Sequence, residues 1–214
     1  MQLLDLIKVA IGQIQATAAN HLEVAVRKLF ILYHLHISNQ DVLEGEKPEE
    51  DAKLSLSAPV QFHGRGKISI PDHVVFGVIG SPGNLSYSYI AAITEDSRIS
   101  FGTHSAINNR VSIVANGSSI TIGRNCLMGP DCLIGDSNGH ELAIDRRREP
   151  DSRPRPVSIG DDVFIGARVC ILKGVTIGNG CVIAAGAVLM PGFTCAPNMI
   201  IAGNPAQVVR PVKQ

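Results

Sequence analysis

Eight six-residue units run without a break from Ile159 to Ala206, and this period constrains the fold more than any other feature. Apolar residues recur six apart at Ile159, Ile165, Ile171, Ile177, Ile183, Leu189, Cys195 and Ile201. The next position is usually tiny (Gly160, Gly166, Gly178, Ala184, Ala196, Ala202), and four places after each apolar residue stands a compact one (Val163, Val169, Val175, Cys181, Ala187). A helix repeats near 3.6 residues and a strand near 2, so neither alone produces a period of six. A chain that makes a short strand, turns a corner and repeats does produce it. Three such sides close a triangular coil, and coils stack at about 4.8 Å through parallel ladders, each burying its apolar residues only against its neighbours.

The register extends upstream through Ile122, Met128 and Ile134, each followed by glycine, and back through Phe101, Ile107 and Ile113, with a fainter pair at Ile70 and Phe76. Two breaks interrupt it. Ile113 and Ile122 are nine apart, which adds three residues to one corner. Ile134 and Ile159 are 25 apart, and the stretch between them holds Arg146, Arg147, Arg148, Arg153 and Arg155 but no aliphatic register. This predicts a loop thrown out of the coil over 136–156, and loops on a rigid scaffold are where function concentrates. Residues 80–92 also break the period and are expected to be irregular.

The chain divides into an N-terminal region, 1–55, and a β-helical domain, 56–210. Residues 3–37 read as helical. Leu3, Leu6, Ile7, Ala10, Ile11 and Ile14 form one apolar stripe, Asn20 with Glu23 is a capping-box start for a second helix, and Val26, Leu29, Phe30 and Tyr33 line its face. A cap over the open end of the coil is the expected role. A peripheral membrane contact is the other option, and the sparse Lys/Arg face argues against it. The acidic stretch 41–53 reads as a solvated linker, and the first coils are expected to begin between Val60 and Ile70.

With 19 basic and 19 acidic residues among 214, the chain has no bulk attraction to nucleic acid or anionic membrane, and neither is expected as a partner. Aromatic content is 4% with no Trp, as a narrow interior demands. The five cysteines lack metal-ligand spacing. Cys126, Cys132 and Cys181 fall in the small inward slot and Cys195 in the aliphatic slot, so they read as buried thiols. Unpaired thiols, together with an N-terminus interrupted by Asp5 and Lys8, point to a cytoplasmic protein with no integral membrane segment.

The hexads, the segment Asp136-Ser137-Asn138-Gly139-His140 and the tail Ala202-Gly203-Asn204-Pro205-Ala206 resemble the hexapeptide-repeat acyltransferases. They are most similar to the branch that O-acetylates maltose, galactosides and capsular or lipopolysaccharide sugars. The resemblance covers about residues 68–210. It implies a mainly β fold, a left-handed parallel β-helix, whereas parallel crossovers are ordinarily right-handed. It also implies a homotrimer with active sites between subunits, a sugar or saccharide acceptor, and acetyl-CoA as cosubstrate with no metal.

On this resemblance His140 is the catalytic base. It stands where the ejected loop begins, and imidazole suits a proton transfer near neutral pH. Taken alone, the residue would read as a loop histidine with a structural hydrogen bond. Asn108 or Asn109 matches an acceptor-binding position, although asparagine is also expected at a sharp corner. Ala167, Ala185 and Gly186 match positions where the pantetheine arm lies against the main chain, and small residues also suit tight corners. Arg210 matches a basic position at the nucleotide phosphates. Gln207 and Met190 depart from basic positions of the family, and Glu141 stands where a proline often follows the histidine. Lys173 has no reading beyond a solvated corner.

Three other readings compete. One is N-acetylation of a nucleotide-linked aminosugar, which the loop arginines would suit. Another is a non-catalytic β-helix scaffold subunit. The last is a zinc enzyme using His73, His104 and His140, which are far apart and poorly phased in sequence.

Overall fold

The computed structural model describes residues 19–44 and 55–213. The expected stripe at Leu3–Ile14 lies outside the described residues. The chain forms a parallel β-helix whose three sides are three sheets. Face A stacks Lys67–Ser69, Arg98–Phe101, Ser119–Ile122, Val157–Ile159, Thr176–Ile177 and Thr194–Cys195. Face B stacks Ser55–Leu56, Val75–Phe76, Ala106–Ile107, Leu127–Met128, Phe164–Ile165, Val182–Ile183 and Met199–Gly203. Face C stacks Val60–Gly64, Ser88–Ala92, Ser112–Ala115, Leu133–Gly135, Cys170–Ile171 and Val188–Leu189. Successive hexads occupy successive faces, and the apolar slots align in register: Ile122 with Ile159 and Ile177, Ile165 with Ile183 and Ile201, Ile134 with Ile171 and Leu189.

The interior is the column that the period requires. Ile159, Val163, Ile165, Val169, Ile171, Val175, Ile177, Cys181, Ile183, Ala187 and Leu189 are all buried. Where the prism begins, one phenylalanine enters from each face. Phe62, Phe76 and Phe101 make successive edge-to-face contacts at centroid separations of 6.1 and 5.4 Å.

The corners explain the tiny residues and a second six-residue rhythm. Asp162, Arg168, Gly174, Gly180, Gly186, Gly192 and Asn198 all have positive φ, from 57° to 80°. Each corner therefore needs one left-handed residue, which Gly supplies freely and Asn or Asp at small cost. At the preceding tiny position the stacked main chains nearly touch: a Cβ on Gly166 would lie 2.6 Å from the amide nitrogen of Ala185.

The first element described is a helix, Ala19–His36, here α1. Asn20, the expected N-cap, lies at the edge of the described residues. α1 lies against Val60–Gly64, the first strand of face C. Just past it the Ser38 hydroxyl accepts the Phe62 N–H at 2.9 Å, the Asn39 N–H donates to the Phe62 carbonyl, and the Asn39 side chain donates to the Gly64 carbonyl. These bonds satisfy ladder groups that an uncovered first coil would leave unpaired.

The buried face of the helix is not the stripe expected. Ala25, Arg27 and His34 are buried, while Phe30 and Tyr33 are 40% and 43% exposed. His34 stacks on Tyr87 at 4.5 Å, and Asn84 donates to Glu23, so the irregular segment before Ser88 sets which side of the helix is covered. The acidic stretch also differs from a plain linker at its start. Val42 is buried and Leu43–Glu44 pairs with Ile68 and Ser69 as a further strand of face A, because Val42 and Leu43 can close the apolar column there. The coils accordingly begin upstream of Val60. Of residues 80–92, only the first part is irregular, since Ser88–Ala92 is a full strand of face C.

Candidate active site

The nine-residue gap and the ejected loop both fall at the corner from face C to face A. Asn116, Gly117 and Ser118 form the longer corner expected from the nine-residue gap, and the ejected loop leaves one coil above it. Asp136 joins the two levels. Its buried carboxylate accepts the N–H groups of Asn116 (2.6 Å) and Ser118 (2.8 Å), and its carbonyl accepts the Arg155 N–H at 2.8 Å, which closes the loop at its neck. Burial raises the Asp136 pKa against the pull of those N–H bonds.

Beyond the neck the loop is a short antiparallel ribbon. His140 bridges to Pro150, the Glu141 N–H donates to the Glu149 carbonyl, and Ile144–Arg146 makes a single helical turn at the tip. Glu141 is buried; it accepts the Ser152 N–H and faces Arg146, and those Ser152 hydrogen bonds hold its carboxyl below the usual range. Glu141 thus braces the loop internally. His140 is exposed, and among the described residues its ring has no hydrogen-bond partner.

Lys173 is not the solvated corner expected of it. It is buried, and its ammonium donates to Asp151 (2.5 Å) and to the Arg153 carbonyl (3.0 Å). The sequence could not pair Lys173 with Asp151, because their meeting depends on the path of the loop.

The two asparagines separate cleanly. Asn109 is buried; its amide donates to the carbonyls of Val78, Ser81 and Pro82 and its oxygen accepts the Val78 N–H. That carboxamide is committed to holding the segment 78–82 and has no donor left for an acceptor. Asn108 is partly exposed, and its oxygen accepts the Asn109 N–H.

Ala167, Ala185 and Gly186 come together at the corner from face B to face C, on consecutive coils, with the Gly186 N–H donating to the Ala167 carbonyl at 2.9 Å. Ala185 and Gly186 are exposed, so this edge is a shallow main-chain surface. Arg210 is exposed on the last strand, Ala206–Pro211, which folds back antiparallel on Met199–Gly203 and sets Arg210 opposite Ile200. Ile200 pairs with Val182, three residues before Ala185 in the chain.

The cysteines occupy their expected slots. Cys126, Cys132 and Cys181 are buried, and each thiol donates to a carbonyl of the next coil. Cys195, on the last coil, is only partly buried. His73 and His104, distant in sequence, stack at 4.9 Å on adjacent coils at the corner from face A to face B, away from the loop. Among the described residues no group of three or more His, Cys, Asp or Glu is arranged to hold a metal.

A family model, the hexapeptide repeat of succinyl-transferase, matches residues 156–191. The fold matches a hexapeptide-repeat-containing acetyltransferase from Vibrio cholerae O1 biovar eltor, complexed with acetyl coenzyme A, at 27% identity with a TM-score of 0.52 over 92% of each chain. It also matches a polysialic acid O-acetyltransferase at 24% identity with a TM-score of 0.59, covering 74% of this chain and 71% of that one. Among curated proteins, none matches the chain in sequence. In repeat and in fold, then, the chain resembles the hexapeptide-repeat acyltransferases, and its prism is the left-handed β-helix of that class. Acyl transfer is the enzyme class to which repeat and fold both point.

Proposed function

We propose that this protein transfers acetyl from acetyl-CoA to a hydroxyl of a sugar or cell-surface polysaccharide precursor, with His140 as general base. The observation that carries the reading is a prism, resembling an acetyltransferase complexed with acetyl coenzyme A, whose loop over 136–156 presents an exposed imidazole with no protein partner among the described residues. In this mechanism His140 takes the proton of the acceptor hydroxyl as that oxygen attacks the thioester carbonyl. The tetrahedral intermediate then expels CoA as the thiolate, and the proton held on His140 passes to it. No covalent acyl-enzyme is needed, so both substrates are bound together.

Asn108 is the acceptor-side group in this reading. The edge at Ala167, Ala185 and Gly186 takes the pantetheine arm, with Arg210 toward the phosphates. The geometry supports a homotrimer on two counts. His140 leaves the corner between faces C and A, whereas the pantetheine edge lies between faces B and C, so one side of the prism separates them in a single chain. The outward residues also divide by face. Face A presents the hydroxyl column Ser69, Ser100, Thr121, Ser158, Thr176 and Thr194. Face B presents Val75, Ala106, Leu127, Phe164, Val182 and Ile200, with Leu127 and Phe164 about half exposed. An apolar column of that length is a natural subunit contact. No helix among the described residues is long and apolar enough to cross a membrane, and a cytoplasmic site of action accords with the cosubstrate.

The test is acetyl-CoA turnover against a panel of saccharides, read as free-thiol release and as the mass of the product. O-acetylated product from wild type, with kcat reduced about 10²–10⁴-fold in His140→Ala, is the expected result. Acetylation confined to amines would replace the hydroxyl acceptor, and full turnover by His140→Ala would remove the base.

A further inference from the structure

Asp151 and Lys173 form a charged pair inside the molecule that neither the fold nor the chemistry above requires. Their side chains are only 4% and 10% exposed. One carboxylate oxygen accepts the Lys173 ammonium at 2.5 Å, the Asn138 N–H at 2.8 Å and the Ser137 hydroxyl at 3.2 Å; the other accepts the Arg153 N–H at 3.1 Å. The same ammonium reaches the Arg153 carbonyl at 3.0 Å. Ser137 and Asn138 lie on the outgoing leg of the loop and Arg153 on the returning leg, while Lys173 belongs to the next corner of the rigid prism. One carboxylate thus ties both legs to each other and to the scaffold. It stands next to Pro150, the residue whose main chain bridges His140.

A buried ion pair is a poor device for stability, because desolvating both charges cancels much of their attraction, and apolar replacements of similar volume are often as stable or more so. What such a pair does well is fix one geometry, since any displacement exposes an unpaired charge to a dry interior. Nothing in the apolar period demands a lysine at 173, where the corner needs only to turn.

We propose that Asp151 and Lys173 are positioning residues for His140, a latch that holds the ejected loop at one height and orientation so that the imidazole meets the acceptor oxygen. The inference rests on His140 as the base. It adds that the base works only when both legs of the loop are locked to the coil beneath, and that the energy of the pair goes into placement. A misplacement of about 1 Å from a change distant from the reacting atoms can cost about 10²-fold in rate.

The experiment uses the paired variant Asp151→Leu with Lys173→Met, which removes both charges and leaves none stranded. Lys173→Met alone strands the carboxylate and serves as the comparison for folding. In the paired variant the thermal midpoint should fall less than in Lys173→Met alone and the KM for acetyl-CoA should stay within about twofold of wild type, while kcat falls about 10²-fold. In a His140→Ala background the same pair of changes should cost no further rate, because the latch acts through that side chain. An unchanged kcat in the folded paired variant would overturn the proposal, as would an equal loss in the His140→Ala background.

A second readout needs no turnover. Arg153 and Arg155 precede prolines, so trypsin can cut the loop readily only at Arg146, Arg147 and Arg148. The paired variant should be cleaved there at least tenfold faster than wild type while the prism stays intact. If wild type released no thiol with any acceptor, the acetyltransferase reading would fall, and this cleavage rate would still decide whether the latch exists: unchanged cleavage would reject it.

Discussion

The Asn109 carboxamide donates to three carbonyls of the segment 78–82, whereas its neighbour Asn108 is partly exposed with only its oxygen engaged. Asn109→Ala would remove its bonds to the carbonyls of Val78, Ser81 and Pro82 and to the Val78 N–H, at about 1–3 kcal/mol in all, and should lower the thermal midpoint. Asn108→Ala, which loses one bond to the Asn109 N–H, should lower that midpoint less and raise the KM for the acceptor; comparing the two by thermal unfolding and steady-state kinetics checks both roles. Their adjacency is why sequence alone left the choice open: a corner asparagine and a ligand asparagine look alike until the segment they face is known. Asp151 carries a second prediction. Burial pushes its carboxyl up, but hydrogen bonds from Lys173, Asn138 and Arg153 and the Lys173 charge outweigh this and hold its pKa at about 2. A carboxylate depressed below its ordinary value contributes stability above that value and loses it as pH falls through the folded pKa. Wild type should therefore lose on the order of 2 kcal/mol between about pH 4 and 2 through this group. Asp136, raised by burial, works in the opposite sense, its charge costing least once it is protonated. Acid titration of the unfolding free energy should show a shallower loss below pH 4 for Asp151→Asn than for wild type, and equal slopes would remove the assignment.

At the scale of the element, each corner makes two separate demands, and glycine meets them at different positions. Gly166 is small because the coil above presses on it: an added Cβ would meet the Ala185 amide nitrogen at 2.6 Å, and the only relief is to part the ladders. Gly186 is glycine for its backbone, with φ of 74° and open space where a Cβ would go. Gly186→Ala should cost about 1–2 kcal/mol, the penalty of a left-handed residue with a side chain. Gly166→Ala should cost clearly more and also disturb the edge at Ala167 and Ala185; chemical denaturation of the two variants side by side measures the difference. These hexads were legible because every unit solves the same local problem, so eight repetitions carry one message. Both insertions were legible as interruptions of it. What was not legible depends on chain paths that no period encodes. Leu43–Glu44 joins face A although acidic residues surround it, α1 buries Ala25 and His34 while Phe30 and Tyr33 of the expected face are exposed, and Lys173 meets a partner 22 residues away across the loop.

At the scale of the whole molecule, the arrangement of edges matters more than any single side chain. In one chain His140 and the Ala185 corner, the base and the pantetheine edge of the proposed reading, lie on opposite borders of face C. In the proposed trimer the apolar column on face B is a subunit contact, and the loop of one subunit meets the edge of the next. Two consequences can be measured. Phe164→Glu places a charge in the middle of the apolar column and should shift the sedimentation coefficient toward that of a single chain, with loss of turnover in proportion. Complementation tests the shared site directly. If the proposed roles hold, His140→Ala lacks the base but keeps the pantetheine edge, and Ala185→Trp keeps the base but fills the edge with an indole; each should be inactive alone. If the proposed trimer is reassembled at random from equal amounts of the two, a shared site works only where a subunit with His140 adjoins a subunit with Ala185, which happens at about one site in four. Mixing the two inactive proteins under subunit exchange should therefore restore about a quarter of wild-type turnover, whereas a site built within one chain would restore none.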